Sequence, residues 1–327
     1  MSDAYGIAII GAGRVARAHL RAVQATPGTR LVAVADTDLA RAQALAAECG
    51  ALAVPDYRDL LRRDDVQIVM IGLPHFLHAP VTIEACQAGK HVFLEKPMAL
   101  SVAECDAMIA AAERAGVRLF VAHTQRFFAS TIRARDLIAC GRIGQVVAAT
   151  DTWYKPFGLE SRPAWFLDRR LGGGMWLMNG SHMVDRVGWV LDSRVRAVRA
   201  WIGNKIFGLA ADDTAVAFLE LASGVPVTLV HAGYRQGVER CAVEILGTEG
   251  MLTFDSYSNL LAVSEDGQYR PIPVERHDPF ARELQAFVES LRTGGPLPVP
   301  VEWARHIVEV LCACEESSRC GREVVLA

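Results

Sequence analysis

The segment GIAIIGAGRVA, residues 6–16, constrains the fold of this 327-residue chain more than any other feature. Its apolar first half suits a buried strand, and a glycine turn then leads into a helical pattern. Strand, turn and helix in this order predict a dinucleotide-binding domain, in which the first glycine allows a tight turn and the second lets the backbone approach a pyrophosphate. The positions of this segment expected to contact the cofactor are Gly11, Gly13, Arg14 and Val15.

Asp36 follows the second apolar run, residues 31–35, at about the distance from Gly11 where a carboxylate binds the ribose 2′-hydroxyl of NAD. Thr37 and Asp38 come next, so no adjacent cation is available for a 2′-phosphate. We therefore expect NAD as the cofactor rather than NADP. The alternative is that Asp36 caps the next helix, a position that Asp38 suits equally well.

Length and composition narrow the class of protein. The length fits two domains, and the net charge of −3 without a basic run argues against nucleic acid or an anionic membrane surface as partner. No apolar stretch approaches the roughly 18 to 20 residues that span a bilayer, and the first strand begins too early to leave room for a signal peptide. The eight cysteines lack the paired spacing of metal ligands, which predicts no metal site and a reduced, cytoplasmic compartment.

Strand-like and helical segments alternate up to residue 122 and then change character. The alternation predicts an α/β Rossmann domain over residues 1–122, a doubly wound parallel sheet that binds ligands at the carboxyl ends of its strands. Residues 123–327 contain successive strand-like runs between 195 and 273, with helical stretches around them. They predict a carboxyl-terminal α+β domain with a large, mainly antiparallel open sheet. A second subunit is one way to cover the exposed face of that sheet.

Two motifs follow strands of the predicted parallel sheet directly. Glu95-Lys96-Pro97 comes after residues 91–94, and the segment LPHFLH, residues 73–78, comes after the preceding strand. A lysine at this edge can hydrogen-bond a substrate oxygen and stabilise alkoxide-like charge, although a surface lysine beside a turn proline is the alternative. The LPHFLH residues expected near the cofactor are Leu73, Pro74 and His78. For His78 taken alone, a structural role near a helix start is favoured over a functional one.

Three consecutive glycines, residues 172–174, precede a helical pattern over residues 175–191 that includes Asn179, His182 and Asp185. Helical spacing places Asn179 and His182 on adjacent turns of one side. A histidine with an ordinary pKa near 6.5 suits proton transfer to and from an alcohol near neutrality. Taken alone, a histidine such as His182 more often has a structural role.

The order of these motifs closely resembles the glucose–fructose oxidoreductase and inositol dehydrogenase family, Gfo/Idh/MocA, with AGKHVFLEKP at residues 88–97 as the most specific segment. The resemblance implies a Rossmann domain followed by an open-sheet domain that forms homodimers or homotetramers. It also implies reversible hydride exchange between a nicotinamide and a hydroxyl- or carbonyl-bearing carbon, usually on a sugar, sugar derivative or cyclitol.

The resemblance assigns individual roles as well. Lys96 would contact the reacting oxygen, His182 would act as general acid or base, and Glu95 would lie beside the nicotinamide ribose. The peptide bond before Pro97 is often cis in relatives. The residues expected to line the substrate pocket are Arg126, Trp165 and Asn179.

One position departs from the family pattern. Many dehydrogenases of the family have an aspartate four residues before the histidine, and this chain has Met178 there. Since methionine cannot orient an imidazole by charge, either His182 has another partner, such as Asp185 or a residue of the 155–162 segment, or Lys96 performs more of the proton transfer. The departure keeps two further functions open: a cofactor-binding sensor without turnover, and a redox-neutral NAD-dependent enzyme such as a glycosidase.

Basic residues near the predicted pocket suggest an anionic group on the substrate, such as a carboxylate or a phosphate. They are Arg126, Lys155, Arg162 and Arg235. The substrate itself cannot be derived from the spacing of these residues.

Overall fold

A computed structural model describes residues 4–326 of the chain, so the outermost residues of the two predicted domains, 1–3 and 327, lie outside it. The chain divides into two compact units, which we describe separately. The first comprises the residues up to Thr124 together with Asp278–Arg305, and the second comprises Gln125–His277 together with the residues from His306 onward.

The strands of the described part are, in chain order, β1 (Tyr5–Ile10), β2 (Thr29–Ala35), β3 (Leu52–Val54), β4 (Ile68–Ile71), β5 (His91–Leu94), β6 (Leu119–Val121), β7 (Val146–Pro156), β8 (Val195–Gly203), β9 (Thr214–Leu221), β10 (Pro226–Tyr234), β11 (Arg240–Gly247), β12 (Gly250–Asp255), β13 (Leu260–Glu265), β14 (Gln268–Pro271) and β15 (Val324–Val325). The α-helices are α1 (Ala16–Ala25), α2 (Leu39–Ala46), α3 (Arg58–Leu61), α4 (His78–Gln87), α5 (Val102–Ala115), α6 (Ala129–Ala139), α7 (Ser181–Val190), α8 (Pro279–Thr293) and α9 (Val301–Cys320).

The sheet of the first unit is parallel throughout, with the strand order β3-β2-β1-β4-β5-β6. Its central strands are apolar and buried, as expected for a sheet with helices on both faces. The strand order reverses between β1 and β4, and ligands of such sheets bind beyond the carboxyl ends of the strands at this point. The predicted doubly wound parallel sheet is confirmed.

Helix α8 belongs to the first unit, whereas the sequence placed residues 278–305 in the second domain. It packs against α1, and its Phe287 ring stacks on Phe120 of β6 with 5.2 Å between centroids. Arg292 donates a hydrogen bond to the Pro27 carbonyl oxygen at 2.9 Å. The predicted assignment of residues 278–305 to the second domain therefore differs from the structure. The amphipathic pattern of α8 indicates which face of the helix is buried, but not which sheet buries it.

The sheet of the second unit has nine strands in the order β14-β13-β12-β11-β7-β10-β9-β8-β15. Neighbouring strands are antiparallel except β7 and β10, which run parallel, so the predicted mainly antiparallel sheet is confirmed. Helices α6 and α7 pack against one face. Side chains alternate along the strands, and on the opposite face Trp201, Val216 and Phe218 are large apolar residues exposed to solvent.

Two further properties concern the described residues only. None of their helices combines the length and the apolar character that a bilayer crossing requires. Their His, Cys, Asp and Glu side chains form no group of three or more that could hold a metal ion.

Candidate active site

The glycine turn after β1 offers an open backbone surface. Gly11 has a φ of 99°, and a Cβ on it would lie 2.5 Å from the Gly72 carbonyl oxygen, so only glycine fits. Gly13 is exposed, and a Cβ there would meet no atom within 4 Å. Arg14 is exposed and Val15 half-buried at the start of α1. An open glycine backbone before a helix start fits the pyrophosphate of a dinucleotide.

Asp36 lies against this turn. Its Oδ2 accepts a hydrogen bond from the Ala12 N–H at 2.7 Å, and its Oδ1 accepts one from the Asp38 N–H at 2.9 Å. Asp38 caps α2, because its carboxylate accepts from the Arg41 N–H. The capping role that was left open for Asp36 therefore falls to Asp38, and the Asp36 carboxylate borders the open turn.

His78 joins the two loops that follow β4 and β5. Its Nδ1 lies 2.8 Å from the Pro97 carbonyl oxygen and its Nε2 lies 2.9 Å from that of Leu73. Burial lowers the pKa of His78, so the ring is neutral and donates one of these hydrogen bonds. Because both nitrogens face the backbone, His78 holds the loops together, and its contact with the cofactor stays a prediction. Leu73 and Pro74 are half-buried at the loop surface.

Glu95 is fixed directly after β5. Its Oε1 accepts a hydrogen bond from Nε2 of the buried His19 in α1 at 3.1 Å, and its Oε2 accepts one from the Lys96 N–H at 3.2 Å. Although burial opposes the charge, His19 and Lys96 lower the pKa of Glu95 below its ordinary value. Lys96 is half-buried, and the Lys96–Pro97 peptide bond is cis. The sequence analysis missed His19, whose position on the buried face of α1 predicts packing alone.

The glycines at 172–174 precede a helical segment of the second unit, residues 176–190, which we call the site helix. Gly174 has a φ of 103°, and a Cβ on it would lie 2.1 Å from Oδ1 of Asp212. The Asp212 Oδ2 accepts a hydrogen bond from the Trp176 N–H at 2.7 Å. Asp212 is almost fully buried, and burial raises its pKa to about 7. A carboxyl group thus holds the first turn of this helix and titrates near neutrality.

The first turn of the site helix, Trp176–Gly180, is a π-helix, and α7 begins at Ser181. A π turn contains more residues than an α turn, so the α-helical spacing that related Met178, Asn179 and His182 does not hold across it. Apolar periodicity does not distinguish a single π turn from an α turn, which explains why the sequence predicted a uniform helix. Such turns are frequent at functional sites.

Asn179 contacts the sheet. Its Nδ2 donates a hydrogen bond to Nε2 of His231, a fully buried residue of β10, at 3.0 Å. Burial, followed by the positive charges of Lys155, Arg186 and Arg162, lowers the pKa of His231 to about 3. The ring is therefore neutral with its proton on Nδ1, an atom that has no hydrogen-bond partner among the described residues. The sequence analysis missed His231, because one inward-facing histidine in a strand gives no functional signal.

Arg162 contacts Met178, the residue at the position where the family resemblance implies an aspartate. Its Nη1 is 3.6 Å from Sδ of Met178, and its Nη2 is 3.8 Å from Sδ of Met175. The guanidinium carbon lies 4.2 Å from the centroid of the Phe166 ring, and Nε donates to the Phe157 carbonyl oxygen at 2.9 Å. The departure at position 178 therefore places a thioether and an arginine beside the site helix instead of a carboxylate.

Arg126 and Asp185 form a buried ion pair. Nε and Nη2 of Arg126 lie 2.8 and 2.5 Å from Oδ1 of Asp185. Because Asp185 compensates the charge of Arg126, Arg126 is less suited to bind an anionic group of the substrate. Arg235, another basic candidate, lies with its guanidinium carbon 4.5 Å from the centroid of the Phe207 ring.

His182 and Trp165 are both half-buried. The His182 ring lies in the first turn of α7, 6.0 Å from the Trp153 ring of β7. Trp165 lies in a short 3₁₀ turn, Ala164–Leu167, and packs edge-on against Phe166 at 5.8 Å. Each predicted residue of this unit therefore has a defined place around the site helix.

Arg186 fixes α7 on the sheet. The fully buried guanidinium pairs with Asp151 of β7, with Nε 2.6 Å from Oδ2, and its Nη1 donates to Gln125 Oε1 at 2.9 Å. It also lies over the Trp153 ring at 5.3 Å. Removing one partner of such a pair leaves a buried charge, so the position of His182 depends on this contact.

Two sequence models match the chain. One, described as an oxidoreductase family with an NAD-binding Rossmann fold, covers residues 5–123, and the Gfo/Idh/MocA carboxyl-terminal domain covers residues 131–253. The 1-carboxy-3-chloro-3,4-dihydroxycyclohexa-1,5-diene dehydrogenase of Comamonas testosteroni is 33% identical over 229 residues, 70% of this chain and 58% of that protein.

Other relatives match over nearly the full length. The inositol 2-dehydrogenase of Salmonella typhimurium is 26% identical over 97% of this chain and 95% of its own length. The crystal structure of an aldose–aldose oxidoreductase from Caulobacter crescentus, complexed with glycerol, superposes with a TM-score of 0.90 at 26% identity, covering 99% of this chain and all of that one.

Proposed function

Because the chain belongs to the Gfo/Idh/MocA family of NAD(P)-dependent oxidoreductases, we propose that it transfers a hydride between a nicotinamide and a hydroxyl- or carbonyl-bearing carbon of a sugar, sugar derivative or cyclitol. The observation that supports this most strongly is the open glycine turn bordered by the Asp36 carboxylate. The substrate class is supported by relatives named as dehydrogenases of a dihydroxycyclohexadiene and of inositol, both of which carry hydroxyl groups on a six-membered ring.

The proposed cofactor is NAD in preference to NADP. The Asp36 carboxylate lies at the turn, and Asp38 adds a second negative charge two residues later. Both would repel a 2′-phosphate, whereas a ribose 2′-hydroxyl can donate a hydrogen bond to Asp36. When bound, NAD supplies the nicotinamide carbon that accepts or returns the hydride.

Lys96 and His182 are the proposed catalytic residues. The Lys96 ammonium binds the reacting oxygen and stabilises the negative charge that develops on it. His182 takes the hydroxyl proton during oxidation and returns it during reduction. Glu95, held by His19, binds the nicotinamide ribose, and Arg14 and Val15 border the pyrophosphate. Arg126, Trp165 and Asn179 are proposed to act indirectly, by shaping the pocket of the second unit.

A second copy of this chain is the proposed partner, bound to the uncovered face of the nine-stranded sheet. Trp201 and Val216 are register partners on β8 and β9, and Phe218 follows on the same face. These apolar side chains are each more than 40% exposed, and an exposed apolar patch on a sheet favours self-association.

The test is the formation of NADH by the purified protein with NAD and a panel of sugars, sugar acids and cyclitols. Turnover with one structural group is the expected result. If the protein binds NADH but turns over no compound, the proposal fails and a cofactor-binding sensor is favoured. Conversion without added NAD, by protein that retains its cofactor, would instead indicate a redox-neutral enzyme.

A further inference from the structure

We infer that Asp212 is a positioning residue of this site, because its carboxylate fixes the first turn of the site helix and, through that turn, the place of His182. The inference rests on the proposed function, in which His182 is the group that transfers the proton. Asp212 acts through the helix on which His182 lies and not by contact with the substrate.

Asp212 contacts the start of the site helix at three points. Its Oδ2 accepts a hydrogen bond from the Trp176 N–H at 2.7 Å, and its backbone carbonyl oxygen accepts one from the Met175 N–H at 3.3 Å. Its Oδ1 packs directly on the backbone of Gly174, where a Cβ would lie 2.1 Å from this oxygen. Three consecutive residues before and within the first turn are therefore held by one aspartate.

The Trp176 side chain connects this contact to His182. Its ring packs on the backbone of Gly180, where a Cβ would lie 2.7 Å from a ring carbon, and its Nε1 donates to the Leu311 carbonyl oxygen at 3.2 Å. Gly180 ends the π turn, and His182 follows two residues later in the first turn of α7. Because the fully buried ring has no free space beside it, a shift of the Trp176 backbone moves the start of α7 as well.

The strength of this hold depends on the charge of Asp212. Its Oδ1 is buried and has no hydrogen-bond partner in the described part of the chain, so the ionised form is costly. The ionised form is nevertheless the stronger acceptor for the Trp176 N–H, and it lies at the amino-terminal end of the site helix, where negative charge is favoured. Ionisation therefore tightens the contact with the first turn, and protonation loosens it.

Charged groups from two other elements act on Asp212. Burial is the largest cause of its raised pKa of about 7, Glu315 of α9 raises the pKa further, and Arg169 of the 3₁₀ turn Arg169–Leu171 lowers it. Arg169 and Glu315 pair with each other, with Nε 2.5 Å from Oε1. The carboxylate of Asp213, next in the chain, accepts from two backbone N–H groups and the Thr214 hydroxyl. The first turn of the site helix, residues 176–180, has no charged side chain.

Nuclear magnetic resonance of the full-length protein tests the contact without any substrate. Labelling with nitrogen-15 tryptophan gives one backbone amide resonance for each of the six tryptophans, and Trp176→Phe identifies that of residue 176. This resonance should shift with a midpoint near pH 7 in the wild type, and it should not titrate there in Asp212→Asn. A Trp176 amide that is independent of pH between about pH 5 and 9 would overturn the inference.

Variants of the neighbouring charges test the same midpoint even if Asp212→Asn folds poorly. Arg169→Gln removes a positive charge and should raise the midpoint, whereas Glu315→Gln removes a negative charge and should lower it. Arg170→Gln removes an exposed arginine that pairs with Asp168, and it serves as the control with an unchanged midpoint. A midpoint that moves in neither of the first two variants belongs to another group and would overturn the inference.

The pH dependence of kcat/KM tests the effect on the reaction. Because the asparagine resembles the protonated carboxyl group, Asp212→Asn should be about 5-fold less active than the wild type above about pH 8 and equally active below about pH 6. The titration of His182 is common to both proteins, so it cancels in the ratio of their kcat/KM values. This ratio should change with a midpoint near pH 7, the pKa of Asp212.

The outcomes separate the inference from the proposed function. NADH formation with a ratio that is independent of pH would show an aspartate with a purely structural role, which overturns the inference and leaves the proposed function in place. A ratio that follows the midpoint of the Trp176 amide supports both. No turnover of any compound, with a Trp176 amide that titrates as expected, would count against the proposed function and support the hold of Asp212 on the site helix.

Discussion

The two units build their sites from different groups. In the first unit, the proposed cofactor surface consists of backbone at a glycine turn, one carboxylate beside it and two short loops joined by His78. In the second unit, the proposed site consists of side chains from two strands, a π turn, a 3₁₀ turn and α7, joined by contacts such as that of Asn179 with His231. A backbone site is sensitive to any added Cβ, whereas a side-chain site is sensitive to charge and hydrogen bonding.

The largest expected effect is on catalysis. Lys96→Met removes the donor that stabilises the charge on the reacting oxygen, so kcat/KM should fall by about 10³-fold while the affinity for NADH stays nearly unchanged. Steady-state kinetics and NADH fluorescence titration measure the two quantities. Turnover like that of the wild type would show that Lys96 has no such role.

The glycine turn allows a matched pair of substitutions. Gly11→Ala forces a side chain into the left-handed region and against the Gly72 carbonyl, so it should lower the free energy of unfolding by about 3 kcal/mol. Gly13→Ala places its methyl in open space, so it should leave stability unchanged and reduce the affinity for NADH. Denaturant unfolding and fluorescence titration separate the two. If both variants changed stability equally, the open space observed beside Gly13 would be contradicted.

Cofactor choice should depend on the Asp36 carboxylate. Asp36→Asn keeps an oxygen that can accept from the Ala12 N–H but removes the charge, so NADPH should gain on NADH by about 10-fold in relative affinity. The ratio of the dissociation constants for NADPH and NADH reports this change. Asp38→Asn, at the cap of α2, is the control and should shift the ratio less.

The second unit should show a pH-dependent effect on stability at Asp212. Its pKa is raised from 3.8 to about 7 in the folded protein, so between these values the folded state holds a proton that the unfolded state has lost. The free energy of unfolding should therefore fall as the pH rises from about 4 to 7, by about 1.4 kcal/mol per pH unit from this group. Asp212→Asn should flatten this slope. If the free energy of unfolding of the variant fell with pH as steeply as that of the wild type, the raised pKa of Asp212 would be contradicted.

Sequence and structure agree best where the determinants are local. The glycine turn at Gly11 and the position of the Asp36 carboxylate beside it could be predicted, because a glycine turn and the carboxylate after the next strand occur at fixed positions in this fold. The two sheets could be predicted in the same way, from the periodicity of apolar residues and from the order of strand-like and helical segments.

Non-local pairings could not be predicted. The contact of Arg162 with Met178, the pairing of Arg126 with Asp185 and the bond from Asn179 to His231 each depend on which elements meet. The π turn and the return of α8 to the first unit were missed because apolar periodicity does not specify hydrogen-bond register or the identity of the partner surface.

The stoichiometry of NADH formed to substrate consumed tests the central claim most directly. A compound found in the panel would be incubated with the protein and excess NAD, and the NADH formed would be compared with the substrate lost from the same mixture. A dehydrogenase predicts one NADH for each molecule oxidised. Loss of substrate without NADH would contradict the account and indicate chemistry in which the cofactor is restored within each cycle.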